Sequence, residues 1–144
     1  MVENDTVKLL RECDAGVKMG IASINDVLPN VRSKRFREEL SDCRNQHEVL
    51  LGEIKGKLCE HGILGKDPAV TAKSMSWMKI NVKMAMNDCD KTVADLITDG
   101  CNMGVKSLHR YLNQYQNADS ESKGIATRLI GLEDNLAKEI RRYL

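Results

Sequence analysis

Residues 33–61 read SKRFREELSDCRNQHEVLLGEIKGKLCEH, and apolar side chains recur along them in steps of three and four residues. That spacing places them on one face of an α-helix. Ser33 is the predicted N-cap, because its hydroxyl group can accept a hydrogen bond from a free amide of the first turn. The face contains Phe36, Leu40, Cys43, His47, Leu50, Ile54, Leu58 and His61. We therefore predict a long helix over 33–61 with a histidine in the middle of its apolar face.

The residues before this helix follow the same pattern. A first apolar series occupies residues 5–28, and Pro29-Asn30 separates it from the second helix. The members of this series are Val7, Leu10, Asp14, Val17, Ile21, Ile24 and Leu28. The short turn predicts that the two helices are antiparallel, with an aspartate among the core-facing positions of the first.

The second half of the chain predicts another antiparallel pair. A single helix over residues 68–116 would be about 73 Å long at about 1.5 Å per residue, which does not fit a compact domain. We therefore place a helix start at Asn87-Asp88 and a turn at residues 117–120. The predicted helices span residues 5–28, 33–61, 88–116 and 121–143, with a shorter helix over 68–86 that starts at Asp67-Pro68.

The length of the link between the second and third long helices predicts the connectivity. Residues 62–87 provide about 26 residues, enough to return along the bundle so that the third helix runs parallel to the second. The expected architecture is all-α, a ferritin-like four-helix bundle with a short extra helix in the crossover. The chain is expected to form one domain, residues 1–144.

Composition excludes several classes of protein. The chain has 144 residues, a mass of 16.2 kDa, 42% hydrophobic residues and a formal net charge of +1. That balance is typical of a folded domain, and the near-zero charge does not favour binding to nucleic acid. No run of about 18 apolar residues predicts a membrane span. The first residues do not resemble a secretory signal, and five cysteines without a C-x-x-C pair suit reduced thiols, so we expect a cytoplasmic protein.

Polar residues on the apolar faces form the candidate site. If residue 30 is the turn of the first hairpin, Asp14 and His47 lie at the same height inside the bundle. The same argument with a turn near residue 119 places Cys101 opposite Glu133, which borders the apolar face of the last helix. Asp14, His47, Cys101 and Glu133 form a mixed donor set that suits iron or zinc rather than calcium. The alternative is that Asp14 and His47 form a buried polar contact that sets the register of the helices.

Other features of the sequence indicate possible binding surfaces rather than a catalytic or metal site. A basic run over residues 32–37 opens the second helix, where positive charge opposes the helix dipole unless an anion lies there. Met75, Trp77 and Met78 in the crossover predict either a core face or a soft partner surface. The sequence contains none of the nucleotide-binding, zinc-protease or serine-hydrolase motifs that would predict an enzyme.

The chain resembles the ferritin-like superfamily, specifically a bacterial, rubrerythrin-related branch with a degenerate di-iron site. The residues that carry the resemblance are Asp14, His47, Trp77-Met78-Lys79, the segment Leu96-Ile97-Thr98-Asp99-Gly100 and Tyr111. The resemblance implies a di-iron site in which Asp14 and His47 replace the glutamates of the first two helices. It likewise implies that Gly100 or Cys101 replaces the third glutamate and that Glu133 is the fourth. Leu50 and Leu136 stand where the family has histidine ligands.

We therefore expect a structural, scaffolding or regulatory protein rather than an enzyme, with no required cofactor. Its expected partners are a second copy of the chain or another protein. One alternative is a metal-binding protein with an unorthodox iron or zinc centre, used in metal handling or oxidative stress. The other alternative is a helical adaptor that binds a protein partner through the crossover or the basic run.

Overall fold

The computed structural model describes residues 4–63 and 89–144, with no side-chain detail at Cys89. Within these ranges the chain forms helices and contains no β-strand. The helices are α1 (Asp5–Val27), α2 (Lys34–Glu60), α3 (Cys89–Gln114) and α4 (Ser120–Glu139), with short 3-10 helices at Leu28–Asn30 and Ile140–Tyr143. The all-α prediction is confirmed for these residues, and the four long helices lie close to their predicted bounds. The predicted crossover helix over 68–86 lies outside the described residues.

Local side-chain chemistry explains where the helices begin and end. Asn4, Ser33 and Asp119 cap α1, α2 and α4 by accepting hydrogen bonds from backbone N–H groups of the first turn, at 2.9, 3.2 and 2.8 Å. At the end of α2, Gly62 has φ +68°. This left-handed conformation lets the Gly62 and Ile63 N–H groups bond the carbonyl oxygens of Cys59 and Leu58.

The buried apolar side chains form two clusters, one at each end of the bundle. The upper core consists of Ile24, Val27, Val31, Phe36, Leu40, Cys43, Val93, Ala94, Leu96, Ile97, Cys101, Leu136, Ala137 and Ile140. The lower core consists of Val7, Leu9, Leu10, Cys13, Val17, Leu50, Ile54, Leu58, Leu108, Ala118, Ile125, Ala126, Leu129 and Ile130. Every long helix contributes to both cores.

These memberships give the direction of each helix. The end of α1, the starts of α2 and α3 and the end of α4 all lie in the upper core. Therefore α1 and α4 run one way, and α2 and α3 run the other way. The third helix is parallel to the second, as the length of the link predicts. Within the hairpins α1 packs on α2 and α3 on α4, while α1 and α4 also contact each other and the other hairpin.

Polar contacts close the two ends of the bundle. At the upper end, the Asp90 carboxylate of α3 accepts hydrogen bonds from the backbone N–H groups of Arg32 and Ser33, at 2.7 and 3.0 Å. At the lower end, the N–H groups of Asn117 and Asp119 donate to side chains at the start of α1. The loops therefore tie each hairpin to the other.

The basic run at the start of α2 is used within the fold. Arg37 donates to the carbonyl oxygens of Val31 and Arg32, both at 2.9 Å, and Arg35 donates to Glu39 at 3.3 Å. The Asp90 carboxylate supplies the negative charge that the α2 N-terminus favours.

Candidate functional site

Four residues, one on each long helix, lie between the fully buried members of the two cores, alongside the partly buried Ile21, Val105 and Leu132 of the lower core. Along α1 the cores leave a gap between Val17 and Ile24, and corresponding gaps occur on the other three helices. The positions in these gaps are Gly20 on α1, His47 on α2, Gly104 on α3 and Glu133 on α4. We call these four residues the middle layer. Each hairpin supplies one glycine and one polar side chain.

His47 packs directly against Gly20. A Cβ atom at Gly20 would lie 2.9 Å from Cδ2 and 3.0 Å from Nε2 of the His47 ring, so only glycine leaves room for the ring. His47 is 2% exposed, and its Nδ1 atom lies 2.8 Å from the carbonyl oxygen of Cys43. Because a carbonyl oxygen only accepts, Nδ1 carries the proton. Burial lowers the pKa of His47, against the smaller opposing effect of that hydrogen bond, and so favours the neutral ring.

Glu133 packs against Gly104 in the same way. A Cβ atom at Gly104 would lie 2.8 Å from the carboxyl carbon of Glu133, and closer to its Oε2. Glu133 is half-buried as a residue, but its Oε2 atom is buried and has no hydrogen-bond partner among residues 4–63 and 89–144. Burial, with a smaller effect of the Asp134 charge, raises the pKa of Glu133 to about 8. The middle layer therefore contains an uncharged acid near neutral pH.

Three buried thiols lie within electrostatic range of the Glu133 carboxyl group. They belong to Cys13, Cys43 and Cys101, on α1, α2 and α3. Burial raises the pKa of Cys13 and Cys43 to about 12 and raises that of Cys101 further, and Glu133 contributes to all three shifts. Protonated, buried thiols are poor nucleophiles. Cys59 is a free and exposed thiol.

Asp14 lies outside the middle layer. It is fully buried, and its Oδ2 lies 2.7 Å from Nζ of Lys18, one helical turn further along α1. Asp14 precedes Gly20, the residue against His47, by six residues, or about 9 Å along the helix. The prediction that Asp14 and His47 lie at the same height in the bundle is therefore wrong. Leu28–Asn30 form a 3-10 turn that prolongs α1, so the reversal is completed only near Ser33.

In the second hairpin, the alignment of the two helices differs from the predicted alignment by about one helical turn. The turn near residue 119 is correct, but the residue opposite Glu133 is Gly104 rather than Cys101. Glu133 does not border the apolar face of α4. It lies between the buried residues Leu129 and Leu136, in the spacing of the face itself. Cys101 lies one turn above Gly104 and remains within electrostatic reach of Glu133.

The four predicted ligands thus occupy different surroundings. Asp14 pairs with Lys18, His47 with the backbone of Cys43, and Cys101 lies within electrostatic range of Glu133. Within residues 4–63 and 89–144, no three His, Cys, Asp or Glu side chains are placed to hold a metal ion.

Sequence reasoning missed Gly20 and Gly104, the partners of the two polar side chains. A signal was present, because Gly104 continues the apolar series of Ile97, Cys101 and Leu108 at helical spacing. A glycine inside a helix costs about 1 kcal/mol relative to alanine, so one in a core-facing position calls for a packing reason.

No protein-family model, curated protein or solved structure matches the chain. Within the described residues, none of the helices has the length and apolar character needed to cross a membrane.

Proposed function

We propose that this chain is a ferritin-like four-helix bundle without a standard di-iron site, and that it acts as a structural or regulatory protein rather than as an enzyme. The observation that carries the proposal is the middle layer. Its two polar side chains are matched to glycines within the same hairpin, and the imidazole Nδ1–H is bonded to the protein backbone. Their role is to set which residues lie opposite each other when the helices pair.

The order and direction of the helices support the family part of the proposal. Because α2 and α3 are parallel, each helix of one hairpin packs on an antiparallel neighbour from the other. Ferritin-like folds have one long crossover of this kind, whereas up-down-up-down bundles have only short loops.

The register role follows from the cost of misplacing a polar group. If α2 slipped by one turn towards the end of α1, the His47 ring would meet Ile24 of the upper core, which has a side chain. A slip the other way would bring the ring to Gly16, beside Val17 of the lower core. The Nδ1–H bond to Cys43 lies within α2 and survives either slip, so the selection comes from the fit of the ring against Gly20 and from the apolar surroundings that a displaced ring would enter. Polar residues in an otherwise apolar seam select one alignment in this way, at some loss of stability.

Replacement of the layer by apolar residues tests the proposal. We expect the double variant His47→Leu, Glu133→Leu to keep its helical content, because apolar replacements of buried polar groups are often tolerated or stabilising. We also expect it to lose a unique alignment, seen as broadened amide NMR signals and a mixture of oligomers in sedimentation. A matched control is Leu50→Met, an apolar exchange one turn further along the same face of α2.

A double variant with sharp, wild-type-like spectra would contradict the register role. A separate measurement addresses the metal alternative: the iron and zinc content of protein purified without a metal-affinity column. Stoichiometric metal that disappears in His47→Ala would replace the present proposal by a metalloprotein.

The proposed partner is a second copy of the chain or another protein. Val49 on α2 and Met103 on α3 are large apolar side chains that are 64% and 61% exposed. Cytoplasmic location forms part of the proposal, because free buried thiols suit a reducing compartment. The adaptor alternative places the partner either on the crossover, whose Met75, Trp77 and Met78 lie outside the described residues, or on the basic run at the start of α2.

A further inference from the structure

One side of α3 carries a row of exposed side chains, with acids in its first half and bases in its second half. The members are three or four residues apart, so they lie on one face of the helix. They are Asp95, Asp99, Met103, Lys106 and Arg110, and all five are exposed. Met103, in the middle of the row, is 61% exposed. We call these five residues the α3 face.

The charges of the α3 face are not paired within the chain. Among residues 4–63 and 89–144, none of its four charged side chains forms a hydrogen bond or an ion pair. Each also has a like charge one turn away, because Asp95 precedes Asp99 and Lys106 precedes Arg110 by four residues. Like charges at this spacing destabilise a helix.

The helix dipole does not account for this arrangement. Its effect is confined to the first and last turns of a helix. Asp99 and Lys106 lie more than two turns from either end of α3. The charge pattern therefore requires another explanation.

A second copy of the chain pairs all four charges. When two α3 helices pack antiparallel with a two-fold axis between Asn102 and Met103, residues at equal distances from the axis lie opposite each other. Asp95 then meets Arg110 of the partner subunit, and Asp99 meets Lys106 of the partner subunit. Symmetry repeats each pair. Met103 lies next to the axis, where the flexible thioether side chains of the two copies pack together. A parallel arrangement in register would instead bring like charges together.

We propose that the protein forms a two-fold symmetric dimer through the α3 faces of two antiparallel copies. The interface consists of four ion pairs around a central contact between the two Met103 side chains. Because the same surface is used by both copies, the contact closes on itself and forms a dimer rather than a filament. The proposal rests on the part of the proposed function that makes a second copy the partner. It does not depend on the register role of the middle layer.

Complementary charge reversal tests the proposal. One variant, Asp95→Lys with Asp99→Lys, has an α3 face with only positive charges. The other variant, Lys106→Glu with Arg110→Glu, has an α3 face with only negative charges. Wild type, each variant and an equal mixture of the two variants are compared by sedimentation, and circular dichroism measures their helical content.

Because a single pair of helices gives an interface at the low end of the size range, we expect a wild-type dimer that dissociates on dilution from about 1 mM to about 10 μM. Salt at about 1 M should weaken it about tenfold, since charges are then screened beyond about 3 Å. Each variant alone should be monomeric, because like charges oppose each other. The mixture should form a dimer of one chain of each kind.

A wild-type protein that is still monomeric at about 1 mM would overturn the proposal. So would a mixture of the two variants that does not associate although both variants are helical.

The matched control makes the same change of charge on another helix. Glu38→Lys with Asp42→Lys reverses two exposed acids at the same spacing on α2, and this variant should dimerise as wild type does. Val49→Lys replaces the exposed apolar side chain of α2 and should also leave the dimer intact. If Val49→Lys abolishes the dimer and the α3 variants retain it, the interface lies on α2 and the proposal is wrong.

A measurement on wild type covers the case in which a charge variant fails to fold. Unlabelled and ¹⁵N-labelled protein are mixed and treated with a carbodiimide, which joins a carboxylate to an amine in direct contact. Within one chain, Asp99 and Lys106 are about 10 Å apart along α3, too far for such a bond. We expect a linked Asp99–Lys106 peptide pair with one labelled and one unlabelled member.

Mixed-label links that exclude this pair, or no mixed-label link at all, would contradict the dimer. The register role would be unaffected by that result, because its test is the alignment of the apolar double variant.

Discussion

At the scale of single residues, the chain matches each of the two polar side chains of its middle layer with a glycine. The His47 ring fills the space at Gly20, and the Glu133 carboxyl group fills the space at Gly104. These glycines differ in kind from Gly52 and Gly56 on the exposed face of α2, where a Cβ atom would meet nothing within 4 Å. Substitution by alanine should therefore change the free energy of unfolding in opposite directions at the two kinds of position.

Gly20→Ala is expected to destabilise the protein by about 1–3 kcal/mol, because its methyl group would displace a ring that has no free space around it. Gly56→Ala, the matched control in α2, should stabilise by up to about 1 kcal/mol through helix propensity. Urea denaturation of both variants gives the free energies of unfolding. A neutral or stabilising effect of Gly20→Ala would show that the ring moves freely.

Protonation of His47 should destabilise the fold on the acidic side. Burial lowers the pKa of His47 in the folded state, so the unfolded chain binds more protons as the pH falls below the unperturbed value of about 6.5. The stabilising contribution is complete above that value and is lost as the pH falls through the folded pKa. His47→Gln should reduce this acid-side loss in thermal melts, whereas His109→Gln, an exposed control, should retain it. Identical pH profiles for the two variants would contradict the assignment.

Glu133 should produce a slope of the opposite sign. Because its pKa is raised from 4.5 to about 8, the folded protein binds more protons than the unfolded chain between these values. Stability falls across that interval as the pH rises, and it is then constant with respect to this group. We expect the free energy of unfolding of Glu133→Gln to lack this component in urea titrations at several pH values. A slope that persists unchanged in the variant would exclude Glu133 as its source.

At the scale of helices, the sequence predicts most helix boundaries, but it does not predict the positions of the helices relative to one another along the bundle axis. Ser33 and Gly62 act through local chemistry, so the sequence alone locates the ends of α2. The height of one helix against another depends on the turn between them. The three residues Leu28–Asn30 continue as a 3-10 helix instead of reversing the chain, which moves the partner of His47 from Asp14 to Gly20. Such a difference in turn geometry leaves no mark in the apolar periodicity.

The start of α2 depends on a residue from another helix. Asp90 of α3 accepts two backbone hydrogen bonds there, next to a run of positive side chains. Asp90→Ala is expected to cost about 1–2 kcal/mol and to increase amide hydrogen exchange in the first turn of α2. Asp95→Ala, an exposed acid on the same helix, is the matched control and should have little effect. Unchanged exchange in the Asp90 variant would show that the two contacts do not stabilise this turn.

At the scale of the whole molecule, apolar packing rather than surface charge should hold the two hairpins together. Two charged contacts link α4 to α2. Lys57 lies 2.7 Å from Glu121, and Arg128 donates two hydrogen bonds to Glu53, at 2.9 and 2.7 Å, although the Arg128 and Glu53 side chains are about half exposed. Exposed pairs of this kind contribute about 0–1 kcal/mol. A double-mutant cycle with Glu53→Gln and Arg128→Gln should give a coupling energy within that range. A markedly larger coupling would make this pair a principal link between the hairpins.

The division of the middle layer between the hairpins has a consequence for how the molecule could be assembled. Gly20 and His47 meet inside one hairpin, and Gly104 and Glu133 meet inside the other. Each hairpin therefore contains both members of its glycine and polar side-chain contact. It needs the other hairpin to cover its apolar faces. Two separately synthesised fragments, each containing one hairpin, carry the information needed to find the same pairing.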